Sequence, residues 1–428
     1  MRVFTCNRKC DILIASKNTQ KDYKSDRMAT HKRTNDDFMR GLGANEKAIL
    51  EHIPILFLRK IAAQVVRAKM RVQFTGWLQY LLPMIFVVLF SFIGGIANLF
   101  NARWLATFFL VLGTLIFIIA IFDLTTVKFR LRLLERLPKR NDDLDLFDLM
   151  RARRSCRSFQ TRKLTDADRT ELMEAVRVHM AEPRIGESPI SFEYISAPLT
   201  VWPTVNATEF LVAIAPKEYD RFAVIDVGRS LQKIVMDVTR MGLSTCWIGP
   251  GADHASIMRH LGKRFNPEQD HIICVCAVGY KSGYIPLFIR IFNAQFYRRL
   301  PLSELFFADA SFEQPLNVDT APFNRFGRTY EICQWAPSSY NGQTTRCVAH
   351  TGENGDLESF DFYATTASRY YAPVAVGIWC ANWELGCKAL GIQGHFAELP
   401  MGNKGNQSKI TTAQFPNYDV SWILDQGL

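Results

Sequence analysis

No two of the ten cysteines in this 428-residue chain stand in CxxC spacing, and no Cys/His grouping has the spacing of a zinc site. No metal is therefore expected. Cys6, Cys10, Cys156, Cys246, Cys274, Cys276, Cys333, Cys347, Cys380 and Cys387 lie scattered through apolar stretches and read as reduced thiols of a core. A Ser/His/Asp array is also missing, and His271 and His395 stand alone in strand-like or loop contexts, where a structural role is the expectation. The larger part of the chain lacks a basic excess: residues 141–428 carry 28 Lys+Arg against 32 Asp+Glu, a net of −4. That removes the usual footprint of a nucleic-acid binder. The overall charge of +10 comes from residues 1–140, with 23 basic side chains against 9 acidic. With 48% hydrophobic residues, a chain disordered throughout is excluded as well.

Charge is absent altogether from Val72 to Ala102 and again from Trp104 to Phe122. Each run can supply the roughly 20 apolar residues needed to cross about 30 Å of hydrocarbon. Trp77, Tyr80 and Trp104 stand near the ends, where amphipathic aromatics favour the water–lipid boundary. The short connection around Asn98–Arg103 predicts a transmembrane helical hairpin over 72–122, with spans at about 77–97 and 104–122. Arg59, Lys60, Arg67, Lys69 and Arg71 precede it, Lys128, Arg130, Arg132, Arg136, Lys139 and Arg140 follow it, and Arg103 is the one basic residue in the turn. Positive charge stays on the cytoplasmic side, so an integral protein of the cell's inner or plasma membrane is expected, with both termini and the main domain in the cytoplasm. The apolar stretch begins too late for a cleaved signal, so it reads as an anchor.

Residues 1–45 are polar and weakly patterned and read as a mobile tail. Residues 46–71 have helical patterning, either as a juxtamembrane helix on the lipid surface or as a solvated helix leading into the first span. Residues 123–141 read as an amphipathic helix, VKFRLRLLERL, followed by a linker at Pro138 and KRNDD.

Three motifs follow. In DLFDLMRARRSCRSFQ, Arg151, Arg153, Arg154 and Arg157 crowd one turn with Ser155. Like charges at that density repel unless an anion or carboxylates face them, and guanidinium forks beside a hydroxyl suit a phosphate; a solvated basic stretch has the same charge pattern. In YEICQWAPSSYNGQ, a helix stops before Pro337 and gives way to a turn of hydroxyl and amide side chains. The third is an internal repeat. Gly228 and Gly242 are each matched 149 residues later, by Gly377 and Gly391, with helix-period apolar residues between. The second glycine of each copy suits a helix C-terminus that needs a left-handed residue.

These motifs resemble the nitroreductase family of FMN-dependent oxidoreductases, over about residues 142–428, in the form described as transmembrane nitroreductases. The resemblance implies an α+β fold, duplicated in one chain as a pseudo-dimer, with half 1 at 142–310 and half 2 at 311–428. It further implies that Arg153, Arg154, Ser155 and Arg157 hold the flavin phosphate and ribityl chain, with Arg298 and Arg299 returning to the phosphate. Ile248, Gly249 and Pro250 would lie beside the flavin, Gly249 offering its backbone N–H to N5, so no side chain need be catalytic. Pro337, Ser338, Ser339, Asn341 and Gln343 would contact the ring from the other half. Half 1 lacks the Pro-Ser-Ser loop and half 2 lacks the arginine motif, so the two retained parts imply one composite FMN site per chain. The implied activity passes hydride from NAD(P)H through FMN to an organic acceptor such as a nitroaromatic or a quinone. A flavin-loaded site doing dehalogenation or flavin breakdown stays open, as does a membrane-tethered flavin-binding sensor or scaffold without turnover. A pseudo-dimer needs no second copy, so a monomer is expected, with the lipid bilayer and a small acceptor as its partners.

Overall fold

The computed structural model describes residues 50–425 except Phe74, Thr200, Pro250, 295–297, Glu353 and 401–415. The expected tail, Cys6, Cys10, the first residues of the expected juxtamembrane helix and Pro250 lie outside the described residues. The chain divides into two units between Leu78 and Gln79. In the first, α1 (Leu56–Gln73) begins just past Pro54, which cannot sit in a helix interior. Leu50 and Ala63 are buried beside Ile53, Ala62 and Val66, and the Arg59 guanidinium donates to the Ile53 carbonyl at 2.7 Å.

The second unit opens with α2 (Leu78–Leu99) and α3 (Arg103–Asp123). The two are long and apolar enough to cross a membrane. Asn101 turns the chain between them in a left-handed conformation (φ 56°). Gly113 brings α3 close to Phe90, where an added Cβ would already touch at 3.6 Å. Ile85, Val88, Phe92, Phe108, Leu115 and Ile118 point outward, exposed along both helices.

A turn of π-helix (Leu124–Lys128) ends α3. Beyond it the expected amphipathic helix is not formed: residues 129–140 run without helix as a strap. Tertiary bonds outweigh the local pattern there. Arg132 donates to Ser282 Oγ (2.9 Å) and lies over the Tyr284 ring, while Glu135 accepts from the Gly283 backbone N–H (2.6 Å). A helix would swing these groups off the 280–284 segment.

Helices α4 (Leu146–Ala152) and α5 (Asp166–Ala181) lead into β1 (Ser191–Ser196), β2 (Glu209–Pro216), α6 (Arg221–Arg240), β3 (Ser244–Ile248), α7 (His254–Leu261) and β4 (Asp270–Gly279). The four strands form an antiparallel sheet ordered β1-β2-β4-β3. After α8 (Leu287–Ala294) come β5 (Phe306–Phe307), α9 (Arg328–Gln334), β6 (Thr345–Thr351), β7 (Leu357–Ala364), α10 (Tyr371–Ala389), β8 (Gly394–Ala397) and β9 (Asn417–Leu424). Their sheet is ordered β5-β6-β7-β9-β8, antiparallel except where β5 adds to β6. Leaving β5 aside, both sheets have the same strand order, with the long helix at the same place in the chain. The architecture is mixed helix and sheet.

Helices α6 and α10 meet along a seam in which backbone touches backbone. A Cβ on Gly228 would stand 2.3 Å from the Val374 carbonyl oxygen, and one on Gly377 only 1.9 Å from that of Ile225. No larger residue fits at either place without parting the helices. Gln232 Nε2 donates to Asn382 Oδ1 across the seam at 3.0 Å, both buried. Gly242 and Gly391 end these helices in left-handed conformations, at φ 79° and 73°. The eight described cysteines are free and buried.

Candidate functional site

Asp145 caps α4 by accepting the Asp148 backbone N–H (2.7 Å), and the helix ends where Arg153 turns to φ −56°, ψ 126°. The arginine motif is thus extended rather than a turn, because it pairs with β3. Ser155 bridges Thr245 in parallel, and the Cys156 backbone N–H donates to the Thr245 carbonyl (2.8 Å). Extended chain places 153, 155 and 157 at alternate positions. Burial pushes the Cys246 thiol up while Arg157 and Arg153 both pull it back, so the two guanidinium groups flank the same β3 residue.

Arg153 is 6% exposed, and among the described residues its Nη1 has no hydrogen-bond partner. Burial, then the like charges of Arg299 and Arg154, hold its pKa down at about 10. Burial and Arg154 hold Arg299 at about 10 as well. Two other arginines that are buried or partly buried have a carboxylate: the half-buried Arg221 pairs with Asp419, and the buried Arg229 with Glu384 through two bonds of 2.8 Å. For both, burial alone lowers the pKa and the carboxylate outweighs it. Arg151, at the outer end of the motif, has Glu331 at 2.6 Å. Unopposed buried cations are costly, and an anion of more than one charge, such as a phosphate, would compensate them. The donor set fits that group.

The Trp335 ring gathers this cluster, with Arg154 at 4.8 Å, Arg299 at 5.4 Å and Arg151 at 5.8 Å from its centroid. Immediately after it the chain enters the Pro337–Gln343 loop. Tyr340, Asn341 and Gln343 all have positive φ, of 52°, 54° and 47°, an expensive conformation for side-chain-bearing residues. Ser338 Oγ accepts the Gln343 backbone N–H (2.9 Å). Asn341 Oδ1 accepts from Arg299 Nη1 at 2.6 Å, and its Nδ2 donates to the Arg298 carbonyl at 2.8 Å. Gln343 Oε1 accepts the Leu300 backbone N–H (2.9 Å). Two loop side chains therefore hold the 298–300 arm, and through it Arg299, against the arginine motif. Ser339 begins a single 3-10 turn, and the Arg298 side chain is exposed.

Gly249 stands at the far end of β3 from the Ser155 bridge. A Cβ there would lie 2.8 Å from Tyr371 at the start of α10, so only glycine leaves room against that ring. Ile248 is buried in the core of the first sheet. Trp247 Nε1 and Thr245 Oγ1 on the same strand are buried without a partner among the described residues.

Arg153, Arg154, Arg299, Pro337, Ser338, Asn341 and Gln343 thus come together. Arg157 lies at the edge of that group, donating to Asn293 Oδ1 (2.7 Å) and resting over Phe292. Ile248 and Gly249 sit at the other end of β3. Trp335, Asn293, Tyr371 and Arg346, which donates to the Gln343 carbonyl (2.7 Å), went unnoticed in the sequence. Trp335 adjoins the Pro-Ser-Ser run and Tyr371 opens the second repeat helix, so adjacency could have marked both. His271 stacks on Tyr370 at 4.9 Å, and His395 Nδ1 meets Asp425 at 2.8 Å. Neither approaches the cluster through any of these contacts.

Residues 145–379, more than half of the chain, match the family described as "Putative TM nitroreductase". Similar solved structures include one from Thermotoga maritima described as "a putative nitroreductase", 16% identical, covering 66% of this chain and 94% of that one at a TM-score of 0.40. A nitroreductase with bound FMN from Bacteroides fragilis is 16% identical, covering 32% of this chain and 89% of that one at 0.26. A structure from Exiguobacterium sibiricum described as "a putative nitroreductase in complex with FMN" is 14% identical, covering 33% and 90% at 0.27. No curated protein matches. On the extent of the family match, this chain belongs to the nitroreductase family.

Proposed function

We propose that the chain is a membrane-anchored, FMN-dependent oxidoreductase with one composite flavin site, passing hydride from NAD(P)H to an organic acceptor such as a nitroaromatic or a quinone. The observation that carries this reading is the buried, unopposed Arg153, set beside Arg299 and against the loop at 337–343, far along the chain. Arg153 and Arg299 would neutralise the cofactor phosphate, with Ser155 and Arg157 along the same extended stretch. Gly249, kept open by Tyr371, would present its backbone N–H to the ring, and the loop at 337–343 would close over it. When bound, FMN supplies two-electron hydride chemistry that no side chain here provides.

The matching strand orders, the helices at matching places and the 149-residue glycine offset support two fused nitroreductase-like halves, at 142–310 and 311–428, acting as a pseudo-dimer and hence a monomer. The same offset carries Tyr371 onto Phe222 and Trp247 onto Phe396, which locates a second, equivalent place. There the chain fills it. Gly186 is pressed against Phe222, and the Ile185 and Gly186 N–H groups donate to Asp226 (2.9 and 2.8 Å). Arg229 lies over Phe396 with its charge already met by Glu384, and Lys233 is met by Glu182 and Glu384. One site holds cations in want of an anion, and the other has its own carboxylates.

The two apolar helices and their basic flanks support a hairpin anchor, with the flavin domain on the cytoplasmic side of the inner or plasma membrane. Protein purified in detergent should carry about one FMN per chain, read from absorbance against peptide mass, and anaerobic NADH or NADPH should bleach it. A colourless protein with no affinity for FMN would refute the reading, and about two FMN per chain would refute the single site. Flavin that stays oxidised would shift the assignment to a flavin-binding sensor.

A further inference from the structure

Helix α8 is fastened at both ends. At its start, the Leu287 backbone N–H donates to Asp123 Oδ2 (2.6 Å), the last residue of the apolar helix α3. Near its end, Asn293 Oδ1 accepts from Arg157 of the arginine motif (2.7 Å). The seven residues from Leu287 to Asn293 therefore join the end of the second candidate span to an arginine assigned to the cofactor. Between them the helix carries Phe288 and Phe292, with Ile289 buried and Arg290 and Ile291 exposed. Phe122, on α3 and exposed, stacks on Tyr284 at 6.4 Å. Phe288 and Phe292 stack on each other at 6.1 Å, and Trp202 meets them at 5.6 and 6.5 Å. Trp202 in turn is pinned to the loop after β3: its backbone N–H donates to the Gly251 carbonyl (2.8 Å), two residues beyond Gly249. The rings thus fall in two groups, Phe122 with Tyr284 and Phe288 with Phe292 and Trp202, between the end of α3 and the loop that follows the glycine assigned to the flavin ring. The outer side of α8 adds Ile291, 55% exposed.

We propose that Phe288, Phe292 and Trp202 form the acceptor-binding wall, and that the acceptor is a planar, apolar, lipid-dissolved molecule that reaches the site from the bilayer along Phe122, Tyr284 and Phe288. Flat rings stack on Trp and Phe faces, and an aliphatic tail would remain beside α3 and Ile291. The inference rests on the flavin reading above. The acceptor takes up two electrons and two protons and leaves as its dihydro form, the reductant being the nicotinamide dinucleotide and the second proton coming from water.

The test uses the full chain in phosphatidylcholine vesicles with NADH or NADPH as donor. Two acceptors share one ring: a benzoquinone with a long isoprenoid tail dissolved in the bilayer, and its tail-less analogue in water. Wild-type protein should reduce the tailed quinone with the higher kcat/KM. Ile291→Glu, on an exposed side chain, should keep its flavin and lower kcat/KM for the tailed quinone at least about tenfold, with less than about a twofold change for the tail-less one, since a carboxylate on an apolar path is costly. Trp202→Ala should raise KM for both acceptors at unchanged flavin content, because it removes the wall on which the shared ring rests. Equal effects of Ile291→Glu on the two acceptors, or none on either, would overturn the proposal, as would a flavin-loaded wild type that reduces only the tail-less quinone. A wild type without flavin would overturn the underlying flavin reading first, and is seen in the absorption spectrum before any acceptor is added.

Discussion

Replacing Arg153 by Met should strengthen the flavin-free protein while weakening its hold on FMN. Removing a buried arginine from its carboxylate destabilises a fold, so opposite signs in the two assays would mark a binding residue. A guanidinium held at about pKa 10 by burial and by Arg299 and Arg154 is disfavoured in its charged form by about 3 kcal/mol relative to water. Its pKa is lower in the folded chain than in the unfolded one. The penalty therefore operates in full at neutral pH, where both states are charged, and is relieved only as pH rises through 10. Met keeps most of the apolar volume and carries no charge, so the apoprotein should gain about 1–3 kcal/mol, some of the penalty being offset by lost packing. The holoprotein loses at least one charge-assisted hydrogen bond to phosphate, worth about 1.5–3 kcal/mol, or about 10- to 150-fold in the FMN Kd.

Urea unfolding of detergent-solubilised apoprotein gives the first quantity, and flavin fluorescence titration the second. Arg221→Met is the control. That arginine is half-buried and, unlike Arg153, paired with the fully buried Asp419, so its removal strands a carboxylate and should cost about 3–5 kcal/mol. If Arg153→Met instead destabilises the apoprotein by more than about 1 kcal/mol, or leaves FMN affinity unchanged, Arg153 is a structural residue and the anion site is misassigned.

Gly377→Ala should destabilise by about 3 kcal/mol or more, measured by the same unfolding, because its Cβ would stand 1.9 Å from a backbone oxygen that cannot move unless α6 and α10 separate. Gly391→Ala, in open space at φ 73°, should cost only about 1 kcal/mol; similar losses at the two sites would show that the seam is not tight. Burial lowers the His179 pKa, but hydrogen bonds to Asp237 and Glu182 outweigh it and raise it to about 9. Its contribution is therefore complete below the unfolded value of about 6.5 and lost as pH rises through 9. With Asp237 half-exposed, that amounts to about 1–2 kcal/mol, and His179→Gln should flatten the Tm profile between those limits. Ser338→Ala removes the acceptor for the Gln343 N–H, loosening the loop that holds Arg299, and should raise the FMN Kd about tenfold. An unchanged Kd by titration would separate the loop from the flavin.

Where the sequence was legible, one kind of force acted over a short stretch of chain. The uncharged runs of 72–102 and 104–122 needed only hydropathy to be read, and the helices found there are Leu78–Leu99 and Arg103–Asp123. Gly242 and Gly391 needed only the demand of a helix end for a left-handed residue. The strap at 129–140 was misread because LRLLERL has a sound helical period, and the bonds that hold it extended come from residues near 282, about 150 positions away. The arginine motif was misread as a turn for the same reason, since Thr245 on β3 draws it straight. The site itself lies between these extremes. Its arginines and its loop stand out as local patterns, yet neither shows that Arg299 is fastened to Asn341, or that Trp335 packs against three guanidinium groups. Those contacts depend on the chain closing on itself across α6 and α10. The proposed composite site therefore stands or falls with the Gly228–Gly377 seam: a substitution there should lower flavin affinity even though neither glycine touches the arginine cluster.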